Sequence, residues 1–122
     1  MPRLLVNLSN IRRNAQAVCS LCSAHGISVA GVVKGSSGSV QVSRTLLEGG
    51  CTQLASSRLS QLETLRQQLP EAQTLLIRMP DPAEAARVVA ACDLSLNTEE
   101  RTLRALSDAA VAANTTHGVI LM

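Results

Sequence analysis

Short, almost wholly apolar runs recur along this chain, each followed by a segment with helical periodicity. The runs begin near residues 27, 52, 73, 92 and 117. They do not alternate apolar with polar residues, as a strand with one wet face would. Continuous apolar strands separated by amphipathic helices are the pattern of a parallel sheet that helices cover. Parallel neighbours cannot be joined by a tight turn, so each helix is a crossover, and crossovers of this kind are right-handed. Two architectures satisfy the pattern, a doubly wound open sheet and part of a (β/α)₈ barrel. In both, ligands bind at the carboxyl ends of the strands.

The connecting segments support this division. Arg3 to Leu8 reads as an initial strand leading through Ser9, a cap candidate, into a helix. That helix places Ile11, Ala15, Val18 and Cys22 on one face and stops at His25-Gly26. Ile27 to Val33 is the first full apolar run, closed by Lys34-Gly35. Val42, Leu46 and Leu47 mark a helix ending at Gly49-Gly50. Thr52 to Ala55 is a strand, and Leu59, Leu62, Leu65 and Leu69 stripe the helix after it. Gln73 to Arg78 is another strand. Asp81-Pro82-Ala83-Glu84 starts the next helix, with Asp as cap, Pro at the first helical position and Glu reaching back. Asp93 to Leu96 is a strand, and Asn97-Thr98-Glu99-Glu100 also spells a capping box, before a helix that buries Leu103, Leu106 and Ala110. His117 to Met122 is the last strand.

Residues 1–122 form one domain by length, with enough chain for a real core. There is no Phe, Tyr or Trp, so the core is aliphatic and no ring can stack on a base or a flat cofactor. A complete barrel needs about 250 residues. The chain ends on a strand with no covering helix, so a truncated barrel of about five strands is expected. Its exposed edges predict association with a partner or a second copy.

The net charge of +2 is dispersed, with no basic run, so nucleic acid is not an expected partner. No apolar run approaches a membrane span and the start is not a signal peptide, which points to the cytoplasm. Cys19, Cys22, Cys51 and Cys92 are then reduced thiols. Cys19 and Cys22 form a CxxC late in a helix with no second ligand pair, which suits small packed residues better than a metal or redox centre.

The strand ends carry Lys34, then Ser56-Ser57-Arg58, then Arg78, then Asn97. A lysine closing an apolar strand loses hydration, which favours its neutral, nucleophilic amine. Equally, it can snorkel to water. Arg58 and Arg78 could neutralise a carboxylate or phosphate, or sit in ion pairs on the rim. Asn97 could face a ligand or simply cap the next helix. Gly35-Ser36-Ser37-Gly38-Ser39 opens a helix and could cradle a phosphate, although it is no nucleotide-binding fingerprint. His25 and His117 fall at the opposite end of the sheet and read as structural.

In order, "PRLLVNLSNIRRNAQAVCSLCSAHGISVAGVVKGSSGS", "LLEGGCTQLASSRLSQLETLRQ", "LLIRMP" and "DLSLNTEE" resemble the amino-terminal barrel of alanine racemase-like, pyridoxal-phosphate-dependent amino acid racemases. The similarity is greatest to the ornithine racemase branch and covers essentially the whole chain. Its sharpest element is "VAGVVKG", whose lysine in that family forms the internal aldimine. The resemblance implies that Lys34 holds pyridoxal phosphate and moves the substrate Cα proton. It sets Arg58, Arg78 and Asn97 on the rim facing the cofactor, and it implies no metal. It also implies that the segment before the first helix is not a barrel strand, so the strand count begins at Ile27. A small amino acid is the implied substrate and a homodimer the implied assembly. The tyrosine that follows this lysine in alanine racemases proper is absent, which turns the expectation away from alanine. Strands six to eight, which supply much of the phosphate site in the family, lie outside these 122 residues. A non-catalytic protein that binds pyridoxal phosphate, or retains the half barrel as a scaffold, is the alternative.

Overall fold

A computed structural model describes residues 1–122. Helix α1 (Leu8–Ser23) comes first, followed by β1 (Ala30–Val32), α2 (Val40–Glu48), β2 (Gln53–Ser56) and α3 (Leu59–Gln68). Then come β3 (Gln73–Leu76), α4 (Ala85–Ala91), β4 (Leu94–Asn97), α5 (Glu100–Ala112) and β5 (Gly118–Leu121). Single 3₁₀ turns at Lys34–Ser36 and Pro82–Glu84 precede α2 and α4.

The five strands lie in the order β1-β2-β3-β4-β5, and every neighbouring pair is parallel. A doubly wound sheet reverses its strand order at a switch point. Here each strand adds beside the previous one, so the winding is that of a barrel wall and the doubly wound alternative falls. The register puts Val32, Ala55, Leu75, Leu94 and Gly118 in one row, and Ser56, Leu76, Ser95 and Val119 in the next. Rows alternate in face. Leu54 and Leu76 point toward the helices and join Leu62, Leu65, Leu69, Val88 and Leu106 in the fully buried core. On the other face Val32 and Ile120 remain exposed.

The leucine stripe of α3 forms as expected: Leu59, Leu62, Leu65 and Leu69 are all buried. The Asp81 capping box also forms, with Asp81 Oδ1 accepting from Ala83 N at 2.8 Å and Glu84 from Asp81 N at 3.3 Å. Three local expectations change. Residues 3–7 form no strand, because nothing pairs with them and their side chains are exposed. Helix α1 starts earlier, capped by Asn7, whose Oδ1 accepts from Asn10 N at 3.0 Å, so Ser9 lies inside it. Its buried residues are Ala15 and Cys19, while Val18 is half exposed, because the helix rests on the small-residue corner at Gly49-Gly50.

Candidate functional site

The carboxyl ends of β1 and β2 carry the most accessible cationic groups of the sheet. Val33 is fully buried, and its N–H donates to Ala55 O at 2.8 Å, which fixes the chain up to the following residue. Lys34 comes next and is exposed, at the start of the 3₁₀ turn. The strand thus holds the backbone at Lys34 while leaving its amine free to reach a ligand.

The serine-rich loop behind Lys34 is not an anion cradle. Ser36 N and Gly38 N both donate to Val33 O (3.1 and 3.0 Å), Ser37 N to Lys34 O (3.2 Å) and Ser39 N to Ser36 O (3.0 Å). Its amides are spent on its own carbonyls, which removes the phosphate-binding expectation for those four groups. Ser37 and Gly38 both have positive φ, 54° and 71°. A Cβ at Gly38 would meet Gln61 at 2.9 Å, so the β1 loop lies flat against α3. Gln61 Oε1 accepts from Ser56 Oγ at 2.7 Å, and Ser56 Oγ accepts from Arg58 N at 3.1 Å. This chain ties the Lys34 loop to the end of β2. Ser56 was legible as a strand-end residue, but its pairing with Gln61 was not, because that depends on the helix docking back over its own strand.

Arg58 is exposed and makes no ion pair. Arg78, by contrast, is fully engaged. Its Nε donates to Ser57 O at 2.9 Å, and its two terminal nitrogens form a fork on Glu84 at 2.9 and 3.1 Å. Those hydrogen bonds, with help from Asp81 N–H, hold the Glu84 carboxyl below its ordinary range despite partial desolvation. Glu84 was legible as a capping residue, and its second role as the Arg78 partner was not.

Asn97 is not a helix cap. Strand β4 runs through it, paired to Leu121, and the cap of α5 is Glu99. Its side chain is completely buried on the Ser95 face, with Nδ2 donating to Ser95 O at 2.9 Å and to Ser95 Oγ at 3.0 Å. Its Oδ1 has no partner. Ser95 Oγ lies 2.8 Å from His117 Nε2, and His117 Nδ1 lies 3.1 Å from Cys92 O. A carbonyl only accepts, so Nδ1 carries the proton and Nε2 accepts from Ser95. Burial holds the His117 pKa below its ordinary value, against the bond to Cys92 O and the nearby Asp93 charge.

The four anticipated residues therefore separate. Lys34 and Arg58 stand free at adjacent strand ends, Arg78 is held in an ion pair on the rim, and Asn97 is packed beneath the surface. An exposed amine and an unpaired guanidinium at neighbouring strand ends suit the aldehyde and an anionic group of pyridoxal phosphate.

A singly wound parallel sheet alternating with covering helices defines the class of protein, part of a (β/α) barrel. The chain belongs to the alanine racemase N-terminal domain family, which it matches over residues 6–122. It is 31% identical over 121 residues to ornithine racemase of Acetoanaerobium sticklandii, covering 99% of this chain and 34% of that protein. It is 34% identical over 83 residues to lysine racemase of Thermotoga maritima, covering 68% of this chain and 23% of that one. The chain thus spans roughly a quarter to a third of the length of these relatives. Among solved structures, D-threonine aldolase from Filomicrobium marinum superposes with a TM-score of 0.83 at 17% identity, over 99% of this chain and 34% of that one. Alanine racemase from Streptomyces coelicolor A3(2) gives 0.79 at 19%, over 93% and 31%. At such identities these two establish the shared fold.

Proposed function

We propose that this chain is the cofactor-lysine part of a pyridoxal-phosphate-dependent amino acid racemase. The observation that carries the proposal is the position of Lys34, free in solvent at the end of the first strand of a parallel sheet, in a chain of the alanine racemase N-terminal domain family. When bound, pyridoxal phosphate supplies the electron sink that lets an amino acid Cα release its proton. Lys34 would hold the cofactor through its amine and hold or move that proton at Cα. Arg58 would pair with an anionic group of the cofactor or substrate. Arg78 would act from the rim, where Glu84 and Ser57 O keep its guanidinium still, and Asn97, buried on the Ser95 face, would brace the end of β4.

The names of the relatives favour an amino acid with a basic side chain as substrate. A soluble homodimer in the cytoplasm is the proposed assembly, and no helix is long and apolar enough to cross a membrane. A non-catalytic scaffold that only binds pyridoxal phosphate is the competing reading.

Absorbance with added pyridoxal phosphate tests the proposal. The folded chain should develop a band near the visible edge that Lys34→Ala lacks. No band from the folded wild-type chain overturns the cofactor assignment. A band with no racemisation of ornithine, lysine or alanine favours the scaffold.

A further inference from the structure

Cys19 on α1 and Cys51 at the entrance to β2 are 32 positions apart in sequence, yet their sulfurs lie 3.8 Å from each other. Both side chains are buried and neither is in a disulfide. Two glycines make this approach possible. A Cβ at Gly49 would come within 2.4 Å of the Ala15 Cβ, and one at Gly50 within 3.1 Å of the Cys19 Cβ. Only glycine lets α1 sit so close. Gly50 also has φ +103°, a conformation that side chains disfavour. At the surface, Arg12 and Glu48 hold the same two helices together at 2.9 Å. An apolar surface cavity of ≈ 290 Å³, lined by both cysteines with Val18, Val29 and Leu46, gives a small molecule access and the thiols room to turn. Cys22, the other half of the CxxC, makes no sulfur contact, and neither does Cys92.

We infer that Cys19 and Cys51 form a dithiol that a hydroperoxide converts to an intramolecular disulfide, locking α1 to the corner between α2 and β2. One thiol gives up its proton and the thiolate attacks an oxygen of hydrogen peroxide; the S–O bond forms, the O–O bond breaks, the departing hydroxide takes that proton and leaves as water, and a sulfenic acid remains. The second thiol sulfur attacks that sulfenic sulfur, the S–S bond forms, and the S–O bond breaks, releasing a second water. In total two thiols lose two electrons and two protons, and hydrogen peroxide is reduced to two waters. Forming a bond of about 2.05 Å from a 3.8 Å contact takes about 1.8 Å of sulfur travel. Helix α1 can supply part of it, since only Ala15 and Cys19 bury it. Burial and the Cys19 contact push the Cys51 thiol up to about 11, so the reaction quickens as pH rises above neutral.

The test treats the folded Cys22→Ser protein with hydrogen peroxide, alkylates remaining thiols in denaturant and maps tryptic peptides by mass spectrometry. The expected product is the peptide containing Cys19 joined to the peptide containing Cys51, with two hydrogens lost. It should be cleaved by a phosphine reductant, with Cys92 still alkylated. Closure should raise Tm by on the order of 10 °C, through the constraint on the unfolded chain. Recovery of Cys19 and Cys51 as separate alkylated residues overturns the inference, as does sulfinic or sulfonic acid on either without the link. If Cys22→Ser does not fold, fragmentation of the wild-type digest distinguishes the same outcomes, with a Cys19–Cys22 bond counting against the pair.

Discussion

His117 shows how one residue's environment sets the pH response of the fold. Its ring is pinned between Ser95 Oγ and Cys92 O, both on or beside β4, and burial disfavours its charged form. The unfolded chain binds a proton there below about pH 6.5, while the folded chain resists doing so. Stability from this group is therefore complete above that pH and is lost as pH falls through it toward the depressed folded value. Urea unfolding should show a midpoint that drops from about pH 7 to about pH 5, and His117→Gln should flatten that drop. A pH-independent midpoint in the wild type would refute this account. Asp93, which Arg66 and Thr74 bond, does not mask the effect. Desolvation opposes its charged form, but those hydrogen bonds prevail and keep its pKa below the ordinary value, so its own contribution fades only in more acidic solution. The same neighbourhood explains why Asn97 misled a local reading. Asn-Thr-Glu-Glu is a capping pattern only if the helix starts right after it, and the pairing of β4 with β5 extends the strand through Asn97 first.

At the scale of elements, the way α1 attaches to the rest of the domain is the most exposed to mutation. Helix α3 is secured by four buried leucines that the sequence spaced for it. Helix α1 has instead two small buried residues and a glycine corner opposite. Gly49→Ala should therefore destabilise the protein by roughly 1–3 kcal/mol, since the new methyl meets the Ala15 Cβ at 2.4 Å and overpacks the contact. Ala15→Gly in the same chain should recover most of that loss, in thermal or urea unfolding. Failure of the rescue would mean that the contact with Arg12 O at 3.1 Å, and not the Ala15 methyl, carries the cost. The periodicity of α1 pointed to Ile11, Ala15, Val18 and Cys22; Ala15 is buried as expected, Ile11 and Cys22 are only partly covered, Val18 is exposed, and Cys19 is buried in their place. The actual contact is chosen by closeness of approach, which favours the smallest residues on the helix.

Within residues 1–122, the sheet has two unpaired edges and one face that no helix covers. Val32 and Ile120 are exposed on that face, and Leu121 and Met122 lie at the β5 end. An unpaired edge beside an apolar patch invites pairing with another chain. Sedimentation of the 12.8 kDa chain should give a mass above the monomer that grows with concentration, and Ile120→Lys should shift it toward the monomer. A monomer at all concentrations would show that this face is not adhesive.

The amino-acid sequence by itself determined the alternation of strands and helices, their parallel pairing, the α3 stripe, the Asp81 capping box and the candidate lysine at the end of the first apolar run. These depend on neighbours a few residues away, which periodicity and capping chemistry report directly. Only the tertiary structure decided the occupation of Arg78 by Glu84 and Ser57, the inward-turned amides behind Lys34, the burial of Asn97 and the meeting of Cys19 with Cys51. Each of those depends on strand register and on how closely a helix docks, and both are set by packing between segments that the chain order keeps apart.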